Sequence, residues 1–231
     1  MDIKTSSEGR LVISYITLRT AIGLLGISLP FILSLGGILF FKTGLQTSIS
    51  AYYHTEMRDV FVGVLFATGF FLYSYRGYDK VDNIAGNLAC LFALGVALFP
   101  TTPDDMPGQS ATGIAHLAFA ALYFATLIFF SLRLFTKTDS DPSATPTPQK
   151  LQRNLIYRVC GITMLVCLVL MAVYNFLPLE TKGMLVVYKP VYWLEALAIL
   201  TFGISWFTKG ENILKDRQKN SGLSKAKPMT E

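Results

Sequence analysis

The strongest constraint on this chain is a series of apolar blocks, each close to the length that crosses a lipid bilayer. A membrane-spanning helix needs about 20 mostly apolar residues, and several blocks reach or approach that length, with the charges clustered between them. Hydrophobic residues make up 52% of the chain and charged residues only 15%, against about a quarter charged in soluble domains. The pattern predicts an all-α fold, a polytopic transmembrane helix bundle.

We predict six transmembrane helices in a single domain at 1–210. The helices are placed at about 11–41, 59–75, 84–99, 113–135, 154–177 and 190–207. Gly23 and Gly26 fall on one face of the first helix and should let another helix approach closely, and Asp82 is expected to cap the third. The Pro-rich stretch 138–150 predicts an exposed linker, and 211–231 predicts a basic cytoplasmic tail.

The distribution of Lys and Arg predicts which way the helices point. With six helices, the basic residues near both ends and in the even-numbered loops fall on one side of the membrane. They are Lys4, Arg10, Arg76, Lys80, Arg133, Lys137, Lys150, Arg153 and those of the tail. The opposite side carries only Lys42, Arg58, Lys182 and Lys189. Because cationic loops stay in the cytoplasm, we expect cytoplasmic N- and C-termini and a multi-pass protein of the cell inner membrane.

The net charge of +5 indicates interaction with the membrane rather than binding of nucleic acid. The basic residues lie in loops and in the tail, where they set orientation and favour anionic lipid headgroups. We therefore expect membrane lipids as partners and no nucleic acid, and leave a homo-oligomer open. The three cysteines all lie inside apolar blocks and are predicted to be packed free thiols.

Both histidines and several carboxylates are predicted at similar depth on the outer side. His54 precedes the second helix, His116 lies in the first turns of the fourth, and Glu195 lies in the outer third of the sixth. Two imidazoles with one or two carboxylates suit a catalytic zinc that keeps a position for water. We expect His54 and His116 as zinc ligands. Glu195 or Asp59 would be a third ligand or the general base.

The same residues also fit purely structural roles. His54 fits a solvated loop residue, and Asp59 fits a carboxylate that complements a helix N-terminus. His116 fits a hydrogen-bonded histidine inside the bundle. Glu195 fits a partner of Lys189 or of a tyrosine hydroxyl. A charged residue inside a membrane helix is nevertheless costly, so Glu195 is the strongest single candidate for a site.

The segment 48–59 (SISAYYHTEMRD) crowds aromatic and hydroxyl side chains at the lip of a helix. It fits the mouth of a pocket that binds a lipid head or a sugar, and it equally fits an interfacial aromatic belt. Ser50 and Tyr53 are the pocket candidates from this segment. Asp104 and Asp105 join them from the outer loop before the fourth helix.

A second polar set is predicted on the cytoplasmic side. Arg19, Asn87 and Arg158 lie in the first, third and fifth helices. The two arginines fit side chains that extend to the lipid headgroups. The alternatives are a pocket for an anionic headgroup or part of a transport path, although the sequence lacks a matched pair of broken helices.

Four segments resemble a family of uncharacterised prokaryotic integral membrane proteins with six helices. These are SISAYYHT with RDVFVG, SYRGYD, AGNLACLFALGVALFPTTP and RNLIYRVCG. The resemblance covers most of the chain. It implies a membrane bundle and carries no activity.

Ser50 and His54 form a Ser-x-x-x-His pair that is similar to one in the alkaline ceramidase and progestin-receptor-like membrane hydrolases. That similarity implies zinc-dependent hydrolysis. Those proteins have seven helices and a His-x-x-x-His pair in the last. Here the predicted sixth helix has no histidine, and Ala120 stands four places after His116.

Three functions are compatible with the sequence, and whether the protein is an enzyme stays open. The first is a hydrolase with an outward-facing polar or metal site that acts on a lipid or lipid-like substrate. The second is a transporter or channel for a small solute or ion. The third is a non-catalytic membrane protein that binds lipid or a protein partner.

Overall fold

The computed structural model describes residues 15–77, 79–106, 108–137, 147–210 and 213–214, which form helices and no strands. The helices are α1 (Tyr15–Phe41), α2 (Arg58–Ser74), α3 (Lys80–Leu98), α4 (Ala111–Phe129), α5 (Pro148–Phe176), α6 (Leu179–Leu185) and α7 (Pro190–Lys209). Short 3₁₀ helices lie at Ser50–His54 and Val186–Tyr188, and α4 continues as a π-helical turn at Phe130–Leu134.

Five of these helices are long and apolar enough to cross a membrane: α1, α3, α4 with its π turn, α5 and α7. Helix α2 has 17 residues, so at 1.5 Å per residue it is about 26 Å long, slightly short of a hydrocarbon core of about 30 Å. Large apolar side chains point away from the bundle, as Leu155 and Ile162 do on α5. The fold is therefore consistent with a multi-pass membrane protein whose helices contact lipid.

Small residues bring α1 and α7 into close contact. A Cβ atom on Gly23 would lie 2.5 Å from the backbone nitrogen of Phe207, and one on Gly203 would lie 2.6 Å from that of Ile27. Such distances leave no room for any side chain, so the two backbones touch directly. The prediction that Gly23 and Gly26 form a packing face is confirmed, since Gly26 meets the ring of Phe202.

The beginning of α3 is capped and tied to the end of α4. Asp79, not Asp82 as predicted, is the N-cap, and its side chain accepts the N–H groups of Val81 and Asp82. Asp82 is the third residue of the helix and returns a hydrogen bond to the N–H of Asp79, which completes a capping box. The Lys137 ammonium contacts both carboxylates, at 2.9 Å and 2.8 Å.

At the opposite end, the loop between α1 and α2 folds into the bundle. Ile49 and Tyr52 are fully buried. The N–H of Tyr192 in α7 donates to the carbonyl of Thr47, 3.0 Å away. This loop therefore closes one end of the helix bundle, which we call the outer end after the orientation predicted from the sequence.

The last turn of α4 is wider than an α-helical turn. The N–H of Phe135 donates to the carbonyl of Phe130 at 2.9 Å, a bond across five residues instead of four. The Ser131 hydroxyl lies 2.9 Å from that of Ser205 in α7, and both are buried. The wide turn thus lets α4 keep contact with α7 down to the inner end.

Two segments differ from the predicted boundaries. Helix α5 begins at Pro148, so the end of the predicted linker is helical, because Thr147 caps this helix and Pro148 occupies its first turn. Helix α6 lies where no helix was predicted. The rest of the linker, 138–146, and the tail except 213–214 lie outside the described residues.

Asp79 predicts a dependence of stability on pH. Hydrogen bonds from Lys137 and from the backbone of Asp82 lower the pKa of Asp79 from 3.8 to about 2. A carboxylate with a lower pKa in the folded state stabilises that state above its unfolded pKa of about 3.9, and the contribution is lost as pH falls through about 2.

We therefore expect the wild-type protein to lose stability between about pH 4 and about pH 2, and Asp79→Asn to lose less over that range. Asparagine still caps a helix, so the variant removes the titrating charge and keeps the cap. Thermal unfolding in detergent, followed by circular dichroism across this range, measures the difference. Parallel pH profiles for the two proteins would contradict the expectation.

Candidate functional site

Glu195 holds the outer loop to α7. Its carboxylate accepts the N–H of Ile49 at 2.7 Å and that of Ser50 at 3.2 Å, with the Ser50 hydroxyl at 3.4 Å. The first N–H groups of a helix lack internal partners, and a negative charge complements that end of a helix. The expected partners of Glu195, Lys189 or a tyrosine, were wrong, because its partners are in the 3₁₀ helix Ser50–His54 and just before it.

Two cavities meet at Glu195. The inner cavity, about 50 Å³, lies between α1, α2, α4 and α7 and has mainly apolar walls. The lateral groove, about 290 Å³, lies between α4, α5 and α7. Its walls include Leu117, Phe124, Leu168, Met171, Ala172 and Glu195. Ala120, Phe124 and Glu195 belong to both cavities. The carboxylate therefore stands at the junction between the interior of the bundle and the groove.

A third, more polar cavity continues the lateral groove towards the outer end. This outer pocket has a volume of about 210 Å³. Its walls include Thr47, Thr101, Asp104, Gln109, Tyr174 and Lys189. Leu117, Tyr174 and Val191 also line the lateral groove. A polar pocket thus leads into an apolar groove that ends at a carboxylate.

Both histidines hold the segment that follows α3. His116 Nδ1 lies 2.7 Å from the carbonyl of Phe99, and His54 Nε2 lies 2.8 Å from that of Thr101. Carbonyls can only accept, so these ring nitrogens donate. The last carbonyls of a helix lack donors from within the helix. Pro100, which lies between Phe99 and Thr101, has no N–H group that could supply one. His116 is buried and its Nε2 has no partner among the described residues, whereas His54 is exposed.

The predicted zinc ligands are not part of a metal-binding cluster in the described residues. Among the residues that the structure describes, no group of three or more His, Cys, Asp or Glu side chains could hold a metal ion. The side chain of Asp59 is 97% exposed and lies 3.9 Å from Arg58. Glu195 is bonded to backbone N–H groups instead. The zinc site stays a prediction from sequence.

Of the predicted pocket residues, two line cavities. Ser50 lines the inner cavity and Asp104 the outer pocket. The ring of Tyr53 packs edge-on against that of His54, with centroids 5.5 Å apart. Asp105 is exposed and lies outside the walls of the cavities.

The three residues of the inner polar set differ in their surroundings. Arg19 is half-buried, and its guanidinium lies 5.5 Å from the centre of the Tyr75 ring. Asn87 and Arg158 are exposed on the outside of α3 and α5.

Lys189 lines the outer pocket, whereas the sequence predicted it only as an outer-side cation and a partner of Glu195. Its backbone has φ 52°, in the left-handed region, just before α7. Its ammonium donates to the carbonyl of Leu45. The only local signal was its place before Pro190, which marks the start of a helix and says nothing about a pocket.

We expect Glu195→Ala to lower the free energy of unfolding by about 1–3 kcal/mol, because it leaves buried N–H groups without an acceptor. Glu195→Gln keeps one acceptor oxygen and should cost less. Hydrogen exchange of the Ile49 and Ser50 amides, with chemical unfolding, measures the effect. Glu180→Ala removes an exposed carboxylate from α6 and is the control. Unchanged exchange in Glu195→Ala would contradict the assigned role.

Comparison with known proteins adds no family to this picture. No family model, no curated protein and no solved structure matches the chain. The resemblance to prokaryotic membrane proteins and the similarity of Ser50 and His54 to a hydrolase pair both stay predictions. The geometry of the cavities is therefore the basis on which a function can be argued.

Proposed function

We propose that the chain has six spans in a cell inner membrane and that both its ends are cytoplasmic. Helix α2 would be a span in addition to the five long apolar helices. The support for this is that α2 runs from one end of the bundle to the other. It begins beside the outer contact of His54 with Thr101. It ends beside Tyr75, whose ring packs 5.1 Å from that of Trp206 near the end of α7. A span slightly shorter than the hydrocarbon is accommodated by local thinning of the bilayer.

Reporter fusions test this topology. Alkaline phosphatase, which is active only outside the cytoplasm, should be inactive when fused after Lys209 and active when inserted after Asp105. The matched insertion after Arg76, in the preceding predicted cytoplasmic loop, should also be inactive. Phosphatase activity from the fusion after Lys209 would place that end outside the cytoplasm and overturn the proposed topology.

We further propose that the protein binds a lipid-like amphiphile in the lateral groove. The observation that carries this proposal is the continuity of a polar outer pocket with an apolar groove of about 290 Å³. Ligand sites are typically apolar with a few convergent polar groups and begin at about 300 Å³. A hydrocarbon chain gains free energy from apolar walls where water would otherwise wet them, and the polar walls of the adjoining outer pocket favour water there.

The groove can be reached from the lipid. Ala121, Ala172 and Phe176 line it and are exposed on the outside of the bundle. A molecule of the outer leaflet could thus place its chain between α4 and α5 without crossing the helix bundle.

The polar groups around the groove favour binding over hydrolysis. The Glu195 carboxylate is engaged by two backbone N–H groups. His54 and His116 each use one ring nitrogen to hold a backbone carbonyl. Groups with these partners fix the shape of a site, and moving them for general acid or base chemistry would release the loops that they hold.

Filling the groove tests the proposal. Ala172→Trp should weaken binding of myristoyl lysophosphatidylethanolamine about tenfold or more, since a loss of about 1.4 kcal/mol is tenfold in affinity. Titration of the purified protein, followed by native mass spectrometry, measures the dissociation constant. Ala121→Trp fills the groove from α4 and should have the same effect.

Val169→Trp is the matched control, because Val169 is exposed on the same helix and is absent from the groove wall. It should keep the wild-type affinity. Saturable wild-type binding that neither groove variant weakens would place the ligand elsewhere, and no saturable wild-type binding would refute the proposal.

A further inference from the structure

The outer pocket contains two opposite charges. Asp104 and Lys189 line the same cavity of about 210 Å³. Among the described residues, neither belongs to an ion pair within 4.0 Å. When two opposite charges share a pocket without forming an ion pair, each can bind a complementary charge on a ligand.

Asp104 is positioned by a hydroxyl. Both of its carboxylate oxygens accept from the Thr47 hydroxyl, at 2.9 Å and 3.1 Å. The backbone of Thr47 is itself bonded to the N–H of Tyr192 in α7. An ionised carboxylate offers about four acceptor positions, so one hydroxyl leaves most of them for a donor in the pocket.

Lys189 is positioned by the backbone. Its ammonium donates to the carbonyl of Leu45, and an ammonium has three donors. The backbone at Lys189 has φ 52°, in the left-handed region. Residues other than glycine, asparagine and aspartate rarely adopt this conformation. The position thus holds a cation where glycine would suit the backbone better.

The walls shared by the outer pocket and the lateral groove include two apolar residues. Leu117 and Val191 line both cavities, together with Tyr174 and Asn175. A molecule with its charged end in the pocket therefore has an apolar path for a chain. That path leads along α4 towards Glu195.

We propose that the outer pocket binds the phosphoethanolamine headgroup of a phospholipid, with the ammonium at Asp104 and the phosphate at Lys189. One acyl chain then lies in the lateral groove, so this inference rests on the proposed function. A primary ammonium donates hydrogen bonds to a carboxylate, which a quaternary choline cannot do. Because Asp104 is exposed, the charge contact gives selectivity more than affinity.

The test compares headgroups on one chain. Myristoyl lysophosphatidylethanolamine should bind the full-length protein about two- to fivefold more tightly than myristoyl lysophosphatidylglycerol, which lacks the ammonium. Asp104→Asn should abolish this preference. Asp105→Asn, a neighbour outside the pocket wall, should keep it. Lys189→Gln should weaken both lipids and keep the preference, because both carry a phosphate.

The outcomes separate this inference from the proposed function. Equal binding of the two wild-type ligands, or equal binding of the lysophosphatidylcholine analogue, would overturn the headgroup assignment and leave the groove proposal standing. Equally tight binding of glycerophosphoethanolamine, which has no chain, would assign the pocket to a soluble ligand and overturn the lipid source. Failure of every single-chain lipid to bind would refute the groove proposal itself.

Discussion

The hydrogen bonds between Glu195 and the amides of Ile49 and Ser50 are the contact on which the outer half of the protein depends. Backbone N–H groups that are buried away from water need an acceptor. The carboxylate supplies one, and the amides in turn stabilise a charge that would be costly alone. Without the carboxylate the two amides lack an acceptor, and without the amides the carboxylate lacks these donors. The buried loop between α1 and α2 and the junction of the two cavities both follow from this contact.

The two ends of the bundle are held by different kinds of contact. At the inner end, Lys137 joins Asp79 and Asp82 across α3 and α4 through ion pairs. At the outer end, side chains mainly hold backbone groups, as Glu195 holds two amides and His54 and His116 each hold a carbonyl. Two charged groups there, Asp104 and Lys189, line a cavity. The outer end is therefore the one whose electrostatics suit a charged ligand.

The sequence predicted most of the helices because apolar length and helix breakers are local properties. It singled out Glu195 for the same reason, since an ionisable residue between apolar neighbours needs no structure to be noticed. Its partners could not be predicted, because Ile49 lies 146 residues away along the chain. Helix α6 was missed because seven residues carry no usable periodicity. The roles of His54 and His116 depend on carbonyls of another helix end, which no spacing of histidines encodes.

The wide turn at the end of α4 has a consequence for the alignment of any chain that shares this fold. A bond from Phe135 to Phe130 places one more residue in that turn than a regular helix would hold. Beyond it, every side chain is rotated by about 100°, one residue's share of a helical turn. Such a chain with a regular fourth helix should therefore align only if a single-residue gap is opened near Ser131. Without that gap, the buried Leu134 and Phe135 would be matched to lipid-facing positions.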